Sequence, residues 1–124
     1  MRPTFFATLS LAVAVSTAHG QDRRDDTDIV ALSIDNQEQL DMMANVIAKA
    51  DGRAPAYTML SDPGHQVIDR YGLFNPASKG LPHPTTYVID KRGIVQWKFT
   101  EVNYNIRPTN EIILAALSRL ADGR

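Results

Sequence analysis

The sequence predicts an α/β sandwich built on a mixed sheet. Three observations carry this. Short apolar runs of strand length alternate with stretches patterned at helical spacing. The alternation then gives way to two strand-like runs joined by a four-residue turn, a hairpin. A final amphipathic stretch closes the chain as a helix.

The elements follow in order. Ile29 to Ile34 (IVALSI) is continuously apolar apart from Ser33, as expected of a buried, parallel strand. Asp35 or Asn36 caps a helix over 37–50, with Glu38 in its first turn. Leu40, Met43, Ala44, Ile47 and Ala48 fall on one helical face, and Asp51-Gly52 ends it. The methionines read as core filler rather than metal ligands. Tyr57 to Leu60 is a second short strand. Ser61-Asp62-Pro63-Gly64 is a turn that starts a helix with Val67, Ile68 and Tyr71 on one face, stopped by Gly72. A loop rich in proline and glycine runs to His83. Thr85 to Ile89 is a strand, and Asp90-Lys91-Arg92-Gly93 turns the chain into Ile94 to Phe99. Val95 and Trp97 alternate with Gln96 and Lys98, which predicts one buried face. Thr109 caps the last helix, whose stripe is Ile113, Ala116, Leu117 and Leu120, widened by Ile112 and Leu114.

The totals bound the function. A chain of 124 residues is one domain, and 44% hydrophobic with 22% charged residues describes a folded protein. The net charge of −1 gives no basic field for nucleic acid. There is no cysteine, so disulfides, thiolate metal sites and a cysteine nucleophile are excluded. His19, His65 and His83 have no ligand spacing, and no metal or cofactor is expected. Asp62, Asp69 and Asp90 read as turn and cap residues rather than a catalytic carboxylate pair. Ser33 and Ser61 lack a nucleophile-elbow context. Lys91-Arg92 reads as a solvated hairpin tip.

The N-terminus has the pattern of a secretory leader. Arg2 supplies a positive start, Phe5 to Val15 is an apolar core, and Ala18 and Gly20 are small residues at a cleavage point after Gly20. The apolar run is too short for a bilayer, which takes about 20 residues. This reading divides the chain into a leader over 1–20, a polar linker over 21–28 and a domain over 29–124. It predicts a secreted or periplasmic protein with no membrane contact after cleavage. The alternative is a buried strand or helix at the start of the domain.

Four pieces together resemble a known family: IVALSIDNQEQL at Ile29–Leu40, LSDPGHQVIDRYGLF at Leu60–Phe74, LPHPTTYVIDKRGIVQWKF at Leu81–Phe99 and NIRPTNEIILAAL at Asn105–Leu117. They are similar to the C-terminal two-thirds of a peroxiredoxin-like, thioredoxin-fold domain of the alkyl hydroperoxide reductase/thiol-specific antioxidant group. The resemblance implies an incomplete thioredoxin-like sandwich and a lineage of thiol-dependent peroxide reduction. It implies that Pro84 is a cis-proline, so that His83, Pro84 and Thr85 form the remnant of an active-site loop. In the family that loop faces a reactive cysteine on the first turn of a helix that follows an earlier strand. Many relatives carry an arginine near this point, whereas His83 stands beside Pro84 here. Asn103, Tyr104, Arg107 and Pro108 match a loop recurrent in the family.

The family's cysteine, its helix and its strand have no counterpart upstream of Ile29, so no catalytic residue is carried over. The family places that strand between the equivalents of Ile29–Ile34 and Thr85–Ile89. Its loss would leave two unpaired apolar edges and an uncovered sheet face. Three remedies are open: Phe5–Val15 supplies the strand, the hairpin closes against Ile29–Ile34, or another subunit donates a strand. A fourth reading is a fragment with a misassigned start or a lost upstream half. The function expected is that of a cysteine-less or truncated family member without peroxidase activity. The alternative is a secreted, non-catalytic peptide-binding module. Candidate partners are an extended peptide, a thiol partner protein, or a second copy pairing through sheet edges.

Overall fold

The computed structural model of the chain describes residues 11–16, 27–78, 81–103 and 105–121. The expected cleavage point at Gly20, most of the linker, His19, Gly80, Tyr104 and Gly123 lie outside these residues. Among the described residues no helix is long and apolar enough to cross a membrane.

Among the described residues five strands form one mixed sheet. They are β1 (Leu11–Ser16), β2 (Thr27–Ser33), β3 (Thr58–Ser61), β4 (Thr85–Ile89) and β5 (Val95–Thr100), in the spatial order β3-β2-β1-β4-β5. Three helices accompany them: α1 (Gln37–Asp51), α2 (Gln66–Arg70) and α3 (Asn110–Ala121). Strands β2 and β3 are parallel, joined through α1, and β4 and β5 form the antiparallel hairpin. This is the incomplete thioredoxin-like sandwich that the sequence predicts, with its C-terminal hairpin and terminal helix.

The centre of the sheet is the unexpected part. Strand β1 comes from the apolar core of the expected leader. It pairs antiparallel with β2, Leu11 opposite Leu32 and Ser16 opposite Thr27. On its other side it pairs parallel with β4, Leu11 opposite Thr85 and Val15 opposite Ile89. Of the three remedies this agrees with the first over Leu11–Val15, while residues 5–10 lie outside the described residues. The main-chain groups of the inner edges of β2 and β4 are thereby bonded rather than exposed.

Local chemistry explains the helices. Asn36, not Asp35, is the N-cap of α1: its side chain accepts from Gln39 N at 2.9 Å, and Gln39 Oε1 accepts from Asn36 N at 2.9 Å. This reciprocal box satisfies donors that a helix start leaves orphaned. Gly52 ends the helix in the left-handed region, φ 74°. Leu40 is buried, and Met43, Ala44, Ile47 and Ala48 are half-buried, the face the spacing predicts. In α3 Ala116 is buried and Ile113, Leu117 and Leu120 are half-buried, but Ile112 and Leu114 are exposed. The expected widening of that stripe is therefore corrected: α3 lies on β4 along a narrow seam. In α2 only Ile68 is buried, since five residues give one turn and a half and cannot bury Val67 and Tyr71 as well.

One cluster of buried side chains reaches from β2 to β4. Leu32, Ile68, Leu73 and Tyr87 pack together, with Ile34 and Ile89 against them. In β5 Trp97 and Phe99 stack, half-buried, at 6.1 Å between ring centroids, while Val95 is exposed. The predicted buried face of that strand is thus Trp97 and Phe99 without Val95.

Candidate functional site

The strand register brings the candidate residues to one end of the sheet. Leu60, Leu32, Leu11, Thr85 and Thr100 form one row across all five strands. One step further out, Ser61 pairs with Ser33, and Glu101 N donates to Pro84 O at 3.2 Å. The tips of β2 and β3 and the entry to β4 therefore lie together. His83-Pro84-Thr85 stands at this edge, where a proline costs no ladder bond.

The peptide bond before Pro84 is trans, because no described peptide bond is cis. This corrects the expectation of a cis-proline. Trans is the intrinsically favoured isomer for X–Pro. The chain enters β4 directly: His83 N donates to Leu73 O at 2.7 Å, so His83 is tethered to the preceding loop without a sharp reversal. His83 is half-buried, and Pro84 and Thr85 are buried.

Polar groups around this edge bond one another. Thr85 Oγ1 donates to His83 O at 3.2 Å and lies 3.1 Å from Thr100 Oγ1. Ser33, at 1% exposure, donates to the Asp35 carboxylate and accepts from Asp35 N. Ser61 Oγ donates to Asp35 O at 2.7 Å. Both serines thus lock the turn after β2: Ser33 is buried away from solvent, and the Ser61 hydroxyl proton is directed at a main-chain carbonyl. The carbonyls of His83 and Pro84 each already accept a bond.

Asp62 is the residue whose importance the sequence understates. It is buried, and its amide donates to Ser33 O at 2.7 Å. Its carboxylate accepts from Gln66 N at 2.9 Å and from Val67 N and Ile68 N, each at 3.0 Å. One residue, through its amide and its carboxylate, thereby joins the end of β2 to the start of α2. The signal was present as Asp-Pro-Gly ahead of an apolar run, but it specifies a turn and not which donors the carboxylate meets. Next to it His65 adopts φ 45°, stacks on Phe74 at 4.7 Å and bonds Asp69 at 2.8 Å. His65 is therefore not simply solvent-facing.

The charged groups with displaced titration serve structure. Asp90, at the opposite end of β4, is held at about 2, chiefly by the Ile94 amide, then by Gln96 and Arg92. Burial raises Tyr87, with Tyr71 beside it adding to the effect. Lys98 Nζ lies 5.6 Å from the centroid of the Tyr87 ring. Among the described residues no three His, Cys, Asp or Glu side chains gather where a metal ion could be held.

Strand direction decides what can face Pro84. A residue that follows the central strand reaches the Pro84 edge only if the strand's C-terminal end lies there. Here the N-terminal end, Leu11, lies beside Thr85, and the C-terminal end lies beside Ile89 and Thr27. At about 3.3 Å per residue, the two ends are about 13 Å or more apart. The C-terminal end of β1 therefore lies at the far end of the sheet from the loop.

No curated protein is matched by the sequence. The chain does match the model of the AhpC/TSA family over residues 10–98, which include every strand from β1 to β4 and most of β5. With the thioredoxin-like sheet and its Pro84 edge, that match places the chain in the AhpC/TSA family.

Proposed function

We propose that this chain is a redox-inactive member of its family, keeping the frame around the family's site without the group that reacts. The observation that carries the reading is the absence of any cysteine from the 124 residues. Peroxide reduction in this chemistry needs a thiolate that becomes a sulfenic acid and is then reduced by a second thiol. Serine and threonine cannot follow that cycle. The direction of the central strand supports the same reading, because its C-terminal end lies beside Ile89 and Thr27, away from Pro84.

The peptide-binding alternative has less support. Extended peptides are held by free main-chain groups. At Pro84 the nearby carbonyls already accept bonds, the His83 amide is used, and proline has no amide.

The test is hydrogen peroxide consumption by the full chain with a thiol reductant. The expected rate equals that of reductant alone at every protein concentration. Saturable, protein-dependent consumption would overturn the proposal.

A further inference from the structure

The apolar segment at the start of the chain has two incompatible uses. Its sequence has the pattern of a leader core, and its backbone is the central strand. We infer that folding and leader processing compete for Leu11–Ser16: a molecule that has folded holds this segment in its sheet, and a molecule cleaved after Gly20 loses the fold.

Strands β2 and β4 lie on either side of β1 and do not adjoin each other in the sheet. All six residues of β1 have partners on β2, and five of them also have partners on β4. Removing β1 therefore leaves two separate two-stranded pieces, β3-β2 and β4-β5. Two-stranded pieces are marginal alone in water. Among the described residues the cluster that bridges them is Leu32, Ile68, Leu73 and Tyr87 with Ile34 and Ile89 against it, side-chain contacts without strand pairing. The newly bared edges of β2 and β4 would be long, apolar and unpaired. Leader processing, for its part, needs an accessible, extended segment around the small residues Ala18 and Gly20. Central-strand pairing on both sides withholds the segment just upstream.

The same logic gives the device a direction. A chain captured for export before it folds remains export-competent. A chain that folds first keeps its leader and stays where it was made. The partition is a race between capture and closure of a sheet whose pairings are mostly long-range, and such pairings form slowly.

The test uses the full chain, its Val13→Pro variant, its Gly20→Arg variant and purified leader peptidase in mild detergent. Val13→Pro places a residue without an amide donor in a central strand. The expected result has three parts. The folded chain resists cleavage, while Val13→Pro shows no cooperative thermal transition and is cut. A chain cut while denatured and freed of its leader by gel filtration does not regain the transition, and binds a dye specific for apolar surface. Gly20→Arg, whose cleavage point is blocked, refolds from the same treatment. If the cleaved, leader-free product melts like the full chain, the inference is wrong. If neither the folded chain nor Val13→Pro is cut, the leader half of it is wrong.

Discussion

The two halves of the sheet meet β1 in different ways. On one side β2 and β3 are tied by a crossover through α1, and β2 is buried only at Ala31, Leu32 and Ser33, with Ile29 52% exposed. On the other side β4 and β5 close as a local hairpin, and β4 is buried from Thr85 to Val88. The hairpin carries its own turn: Asp90 accepts from Arg92 N at 2.9 Å and Ile94 N at 3.0 Å. The crossover half relies on contacts distant in sequence, such as the Asp62 amide on Ser33 O. The difference teaches where the fold is vulnerable. The hairpin is specified locally, whereas the crossover half is held by β1, by Ile68 and by Asp62.

Substitutions ranked by expected effect can break this contrast. Ile68 is 1% exposed and belongs to the cluster that joins Leu32 of β2 to Tyr87 of β4. Ile68→Ala should cost about 2–5 kcal/mol in urea unfolding, transfer loss and cavity together. A smaller loss than that from Leu40→Ala, which serves the crossover half alone, would show that the halves do not share a core. Asp62→Ala strips three amides of their acceptor and should cost about 2 kcal/mol. Asp62→Asn retains one acceptor oxygen and should recover part of the loss.

Smaller effects are expected at surface caps and the turn. Asn36→Ala removes the capping box of α1 and should cost about 1 kcal/mol. Gly93→Ala meets open space but keeps φ at +80°, so backbone strain alone, about 1 kcal/mol, sets its cost. The smallest effect is a pH dependence confined to the hairpin. The folded pKa of Asp90 is depressed, so its contribution is present above the ordinary carboxylate value of 3.8 and is lost as pH falls through about 2. Amide exchange at Ile94 should quicken over that window in the native chain and stay flat in Asp90→Asn.

Much of the crossover half and the outline of the hairpin, though not the exposure of Val95, were legible in the sequence. Helical spacing from Leu40 to Ala48 and the Gly52 stop define α1, and the alternation about Asp90–Gly93 defines the hairpin. These are local signals, each read within one turn or one strand. The central strand was readable only as one option among several. An apolar run such as LAVAV is equally a leader core, a strand or a helix segment, and its partners lie far along the chain. The position of His83-Pro84-Thr85 at the entry to β4 was legible in the sequence, but the isomer of the bond before Pro84 was not. The bonds that fix a trans entry come from Leu73 and Glu101, which local sequence does not reveal.

The most direct test of the account is the direction of the central strand. Interstrand backbone NOEs in the isotope-labelled full chain report it without any substitution. The account predicts proximity of Leu11 to Leu32 and Thr85, of Val13 to Val30 and Tyr87, and of Val15 to Asp28 and Ile89. The opposite order, with Val15 beside Thr85, would bring the residues after β1 to the Pro84 edge and contradict the account. A direct β2–β4 pairing with β1 excluded from the sheet would contradict it equally.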